Sequence, residues 1–323
     1  MEPVTCVSCG MDDTEHLLTL RDFAFGEPGE FPLVRCRRCG LIYLKRRPSP
    51  AQMARYYPTA YLPYKSAIED ERWALMRWAR RRNIRRYCSV IEQFSPRAPG
   101  RVLDIGCSTG IFLAEMRNAG WEPYGIDLSP TAVVYARRRF GLPVFEGQLS
   151  DANLAAGRFT AATLWDVLEH TFNPLDILQT VHRLLEMDGI IAITVPHYES
   201  WDRLFFGQYW IGYDAPRHLY VFPREALSDM LVQTGFEIVH TRCAFGGYFT
   251  SVASLRLWLN QHLRQPAAYE LLSRLISVPG IRFLFSPWDT LVDRLGRGNK
   301  LEVIARKVEP ASKASQICMT DAT

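Results

Sequence analysis

Val102-Leu103-Asp104-Ile105-Gly106-Cys107-Ser108-Thr109-Gly110 decides the reading of this chain. An apolar strand carries an acid near its end, two glycines four residues apart turn the backbone, and an apolar helix follows. Glycine permits the sharp turn and a close backbone approach to a ligand. The helix start behind it offers free N–H groups. Asp127, 21 residues after Gly106, ends the next strand-like run, where its carboxylate can accept from two ribose hydroxyls. A dinucleotide site competes with this reading, but it needs G-x-G-x-x-G. The spacing here is G-x-x-x-G, with Asp104 two residues before the first glycine. A carboxylate there repels a pyrophosphate and attracts a cationic, amine-bearing ligand. A tight turn without a ligand is the plain alternative.

Outward from this stretch, short apolar runs alternate with helical ones. Strands are expected at 101–105, 122–127, 143–147, 159–165, 190–195, 236–242 and 301–307. Ser129-Pro130 and Asn173-Pro174 are caps followed by first-turn prolines, so each opens a helix. The pattern predicts an α/β fold: a Rossmann-like, mostly parallel, seven-stranded sheet covered on both faces. Residues 243–300 are too many for a structureless loop, and helical patterns at 252–263 and 269–277 make them a helical insertion before the last strand. The expected division is 1–47, a zinc ribbon; 48–99, a connector and basic helix; 100–242, the cofactor-binding domain; 243–300, the insertion; 301–308, the last strand; and 309–323, a disordered tail.

The segment 102–110 with Asp127 resembles motif I and the acidic second-strand residue of class I S-adenosylmethionine-dependent methyltransferases. Ser108 stands where that family commonly has a middle glycine. The resemblance covers roughly 100–242 plus 301–307. It implies that Asp104, Gly106, Cys107, Ser108 and Gly110 hold the methionine part and that Asp127, with Leu128 after it, holds the ribose. It also implies Gln148 and Leu149 near adenine, and Trp165 and Asp166 bordering cofactor and substrate.

Trp165-Asp166-Val167-Leu168-Glu169-His170 is similar to the D-V-L-E-H run of small-molecule methyltransferases, including the ubiquinone-pathway O-methyltransferases. In some of those an E-x-x-E-H set binds a divalent cation. Asp166, Glu169 and His170 fit such a set for Mg²⁺; the alternative is that Glu169 and His170 line the methionine and acceptor pocket. Methyl transfer from a sulfonium requires alignment of acceptor, methyl and sulfur, and removal of a proton when the nucleophile is a hydroxyl. His170, His197 and His218 lie near strand ends, where α/β sheets bind ligands. The run from Arg217 to Leu227 is similar to a stretch of deoxysugar C-methyltransferases that also carry an N-terminal zinc-binding domain. That resemblance implies that His218 is the catalytic base, with His170 the second candidate. Arg217 replaces the Glu of that stretch, and an Arg there would suit an acceptor bearing carboxylate or phosphate.

Cys6-x-x-Cys9 and Cys36-x-x-Cys39, each followed by Gly, supply four thiolates, the donor set of structural Zn²⁺. The run after Leu33 resembles the zinc domain found ahead of sugar and related small-molecule methyltransferases.

With 48% hydrophobic and 22% charged residues, composition excludes a mainly disordered chain. The net +4 is unevenly spread. Residues 1–99 hold 17 basic and 11 acidic side chains, 100–242 hold 11 and 17, and 243–300 hold 7 and 3. The basic flanks favour an anionic acceptor, or an anionic surface carrying it. Seven arginines between 72 and 86 read as a solvated helix face or as a surface for that acceptor, with RNA the further alternative, although nucleic acid is the less favoured partner. The insertion reads as a lid, an oligomer surface, or an amphipathic element giving peripheral membrane contact. Sparse cysteines, an N-terminus without a basic start or apolar core, and no long apolar run lead to the expectation of a cytoplasmic, membrane-associable protein.

The expected activity is S-adenosylmethionine-dependent methylation, at oxygen, of a small-molecule, sugar or lipid-linked acceptor. The rivals are an RNA methyltransferase using the ribbon and Arg-rich helix, and a non-catalytic zinc-ribbon protein on a methyltransferase fold.

Overall fold

The computed structural model describes residues 1–57, 74–243, 247–263, 265–276 and 281–309. The expected tail after Glu309, much of the connector and Arg72 therefore lie outside the described residues.

At the N-terminus, β1 (Glu2–Pro3) pairs with β5 (Arg46–Arg47). Between them run β2 (Thr14–Leu20), β3 (Phe31–Cys36) and β4 (Ile42–Leu44), an antiparallel set. The fourth strand of this sheet, Tyr220–Val221, comes from far along the chain and pairs Tyr220 with Tyr43 and Val221 with Ile42. One apolar cluster accordingly runs from Phe31, Leu33 and Tyr43 through Leu219 and Phe222 to Leu164 and Leu168. α1 (Pro50–Met53) follows. α2 (Ala74–Phe94) buries Cys88, Val90 and Ile91, while Arg81, Arg82 and Arg85 face solvent.

The seven expected strands form one sheet. They are β6 (Arg101–Ile105), β7 (Glu122–Asp127), β8 (Val144–Glu146), β9 (Phe159–Trp165), β10 (Leu185–Pro196), β12 (Phe236–Cys243) and β13 (Lys300–Lys307), with β11 the Tyr220–Val221 strand above. Their order is β12-β13-β10-β9-β6-β7-β8, and only β13 runs against its neighbours. From β6 the chain goes to β7 on one side and later to β9 on the other. Ligands bind at the carboxyl ends of strands beside such a reversal. The helices are α3 (Ile111–Asn118), α4 (Pro130–Phe140), α5 (Pro174–Leu184), α6 (Trp201–Phe206) and α7 (Arg224–Gln233). The caps work as their chemistry predicts: Ser129 accepts from the Ala132 N–H and Asn173 from the Asp176 N–H. Gly141, at φ 63°, ends α4.

The insertion holds three helices rather than the two expected: α8 (Gly247–His262), α9 (Pro266–Leu275) and α10 (Ile281–Arg294). α10 carries Pro287 internally, and that proline hid the helix from a pattern reading.

Candidate active site

The turn between β6 and α3 is shaped by contacts that only its residues satisfy. A Cβ on Gly106 (φ +70°) would lie 2.5 Å from Val167, and one on Gly110 (φ +75°) 2.7 Å from Leu142. Ser108 also takes positive φ. Asp127 supports the turn from β7: its carboxylate accepts from the Ser108 N–H at 2.7 Å and the Ser129 N–H at 2.8 Å. Burial raises its pKa. Asp104 is buried and accepts from the Thr163 hydroxyl at 2.6 Å. Burial pushes its carboxyl up to about 7; the Thr163 bond opposes this and Asp127 adds to it. A cation beside Asp104 would relieve that burial penalty, so the site suits an ammonium or sulfonium group.

Cys107 turns its thiol inward, where a Cβ on Gly125 would meet it, so at Cys107 only the backbone faces the turn. Leu128 is 68% exposed and Gln148 is exposed, while Leu149 is buried at the start of a short 3₁₀ turn. Trp165 ends β9, with Tyr87 at 4.5 Å and Phe112 at 5.6 Å between ring centroids; its indole N–H is buried without a partner.

Past Trp165 the structure rearranges the expected cation set. Asp166 has positive φ and is held by Thr194 and by an ion pair with Lys300. It therefore stands apart from the cluster that does form, in which ligating atoms of Glu169, His170 and His218 lie within 4.8 Å of one another. Glu169 is fully buried and neither carboxyl oxygen has a hydrogen-bond partner. Burial, with Asp166 nearby, raises its pKa well above the usual range. The rings of His170 and His218 meet edge to face at 4.6 Å. His218 Nδ1 lies 2.8 Å from the Gly212 carbonyl, and His170 Nδ1 lies 3.1 Å from the Arg217 carbonyl. A carbonyl only accepts, so each Nδ1 carries the proton and each Nε2 keeps its lone pair. Burial holds His218 below its usual value, and burial with His218 holds His170 down to about 3. Both rings are neutral at pH 7. His197 is elsewhere: buried, with Nδ1 2.8 Å from the Gly298 carbonyl and Nε2 3.1 Å from Glu199.

Arg217 corrects a sequence expectation. It is wholly buried and its guanidinium N–H groups are taken by Asp214 and Asp22, so it offers nothing to an anionic acceptor. Sequence reasoning also missed Thr163, Tyr57 and Lys300. Tyr57 places its hydroxyl 3.1 Å from His170 Nδ1. Thr163 had a signal, being a polar side chain in an apolar β9.

The cysteines form a second centre. Cys6 and Cys39 bring their sulfurs to 3.4 Å, Cys9 and Cys36 to 3.5 Å, and all four lie within 4.8 Å. A tetrahedral metal with bonds of about 2.3 Å separates its sulfurs by about 3.8 Å, so the cluster fits one. Two matching knuckles build it: Gly10 N–H donates to the Cys6 carbonyl and Gly40 N–H to the Cys36 carbonyl.

Residues 78–241 match the family described as a methyltransferase domain, and the chain belongs to that family. It is a class I S-adenosylmethionine-dependent methyltransferase. The chain is similar to the ubiquinone biosynthesis O-methyltransferase of Histophilus somni, 24% identical over 173 residues, which are 50% of this chain and 73% of the relative. It is 31% identical over 113 residues to the enzyme of that name from Ralstonia nicotianae, 33% of this chain and 48% of the relative. The chain thus spans about half the length of several of these curated relatives. The fold is shared with a putative sarcosine dimethylglycine methyltransferase from Galdieria sulphuraria, at 15% identity and TM-score 0.51, covering 76% of this chain and 92% of that one.

Proposed function

We propose that this methyltransferase acts at a hydroxyl of a small, predominantly apolar or lipid-linked acceptor, with His218 as general base. The observation that carries the reading is the His218–Gly212 bond, which leaves Nε2 unprotonated beside His170 and the unpartnered Glu169. A neutral imidazole can take the hydroxyl proton as the methyl passes from the sulfonium to the acceptor oxygen. S-adenosylmethionine, when bound, supplies an electrophilic methyl group. Asp104 complements its positive charge, the 106–110 turn admits its amino-acid part, Asp127 takes the ribose, and Gln148 and Leu149 flank adenine. Trp165 closes the pocket.

Two further observations support the acceptor class. The relatives named above are O-methyltransferases of ubiquinone biosynthesis. The insertion and α6 also frame a hollow of about 410 Å³, lined by Phe205, Phe206, Tyr248, Leu255, Trp258 and Trp288. The helix that lines this hollow is tied to the loop carrying the base. Ser254, on the same helix as Leu255, accepts from the Ile211 N–H at 3.0 Å, next to the Gly212 that holds His218. On α9, on α10 and just after α10, Leu271, Leu275, Leu291 and Leu295 are exposed, apolar side chains suited to an acceptor held at a membrane. No helix among the described residues is long and apolar enough to cross a membrane. In this reading the cysteine cluster holds structural Zn²⁺ and the protein works in the cytoplasm, where thiols stay reduced.

His218→Asn tests the assignment. The expected result is a loss of about 10²–10⁴-fold in kcat with unchanged cofactor affinity by calorimetry. Full activity in this variant would sink His218 as base.

A further inference from the structure

Arg217 joins the histidine-bearing loop to the N-terminal unit by every donor it has. Nε and Nη2 donate to Asp214 at 2.9 and 2.6 Å, Nη1 and Nη2 to Asp22 at 3.1 and 2.8 Å, and Nη1 to the Tyr56 carbonyl at 3.2 Å. The ring of Phe25 covers the guanidinium at 4.8 Å. Five N–H groups and five bonds leave the guanidinium no freedom to rotate. Asp22 is equally fixed, since it also accepts from the Ala24 and Phe25 N–H groups. Its turn follows β2, so it belongs to the sheet that carries the cysteine cluster.

The backbone of the same arginine reaches the reaction centre. Its carbonyl accepts from His170 Nδ1–H, and both its own N–H and that of His218 donate to the Asp214 carbonyl. Leu219 N–H bonds to the Glu169 carbonyl, and Leu44 N–H to the Leu219 carbonyl. All three members of the Glu169–His170–His218 cluster are thus located by a loop whose anchor is an aspartate 195 residues earlier in the chain.

We propose that Arg217 is a positioning residue for methyl transfer, and that through Asp22 it makes the cysteine-bearing N-terminal unit part of the reaction centre rather than an attached module. The clamp places the carbonyl that holds His170 Nδ1, and so fixes the tautomer of that ring and where its lone pair points. This inference rests on the reading of His218 as base.

Arg217 itself is a poor first variant, because its loss leaves Asp22 and Asp214 buried and unpaired and the protein can fail to fold. Asp22→Asn keeps the shape and leaves Arg217 paired with Asp214. Its readouts are the histidine tautomers, from ¹⁵N correlation spectra, and the pH profile of kcat. The groups facing the two rings are Asp214, Arg217, Asp166, Glu169, Tyr57 and the rings themselves. Removing the negative charge of Asp22 disfavours protonated histidine, so the acid limb moves to lower pH. The expected result is mixed tautomers at His170, at least about tenfold lower kcat, the shifted limb, and unchanged cofactor affinity. Unaltered tautomers with an unmoved limb overturn the proposal, whatever happens to kcat. The tautomer measurement does not depend on catalysis. A fully active His218→Asn would therefore reject the base assignment and leave the clamp result standing.

Discussion

Asp104 and Thr163 face each other across the central strands β6 and β9, with the threonine hydroxyl 2.6 Å from the carboxylate in a fully buried site. A single neutral donor does not offset burial, so the carboxyl sits at about 7. A cationic cofactor binds the ionised form. As pH falls below 7, binding must first remove a proton, so cofactor affinity is expected to drop by up to about tenfold per pH unit. Above pH 7 it should level off. Calorimetry in buffers of different ionisation enthalpy should register proton release near pH 6.5, and Asp104→Asn should abolish both effects while weakening binding throughout.

Asp127 supports the cofactor turn and, in the proposed reading, the ribose. Asp127→Ala removes both roles and is expected to weaken cofactor binding by about 10–100-fold, the loss of one or two hydrogen bonds to a charged group. An unchanged dissociation constant would reject the site assignment.

The cysteine cluster should bind one zinc per chain, measured by elemental mass spectrometry. Because its sheet shares a core with the central domain, losing the metal should destabilise the whole fold. Cys36→Ser is expected to lose the zinc and lower the unfolding midpoint by about 5 °C or more. An unaltered melting curve would mean that the cluster does not support the shared core.

The aromatic hollow offers a specificity test. Leu255→Asp places a charge among Phe206, Trp258 and Trp288. It should raise KM for an acceptor with a long alkyl chain by about tenfold or more, and leave both cofactor affinity and KM for a short-chain analogue within about twofold. Equal effects on both acceptors would remove the hollow from the acceptor path.

Much of the fold was legible because its signals are local. The strands 101–105, 122–127 and 159–165 begin and end where the apolar runs do, since glycine, proline and charged residues bound them. The four cysteines announced themselves by spacing. What stayed hidden depends on distant partners. Tyr220–Val221 is too short to show a period, and nothing near it names Ile42 and Tyr43 as its neighbours. Arg217 looked like a ligand for an anion because a sequence displays its charge and not the two aspartates around it. Asp166 looked like a metal ligand for the same reason, until Lys300, 134 residues away, claimed it.

Methyl transfer through His218 is expected to end on an apolar small molecule. Its most direct test is incubation with methyl-labelled S-adenosylmethionine and fractionated extract, followed by partition of the label. The prediction is label in the organic-extractable lipid fraction, absent with His218→Asn and insensitive to ribonuclease. Label confined to RNA, or equal labelling by the variant, would contradict it.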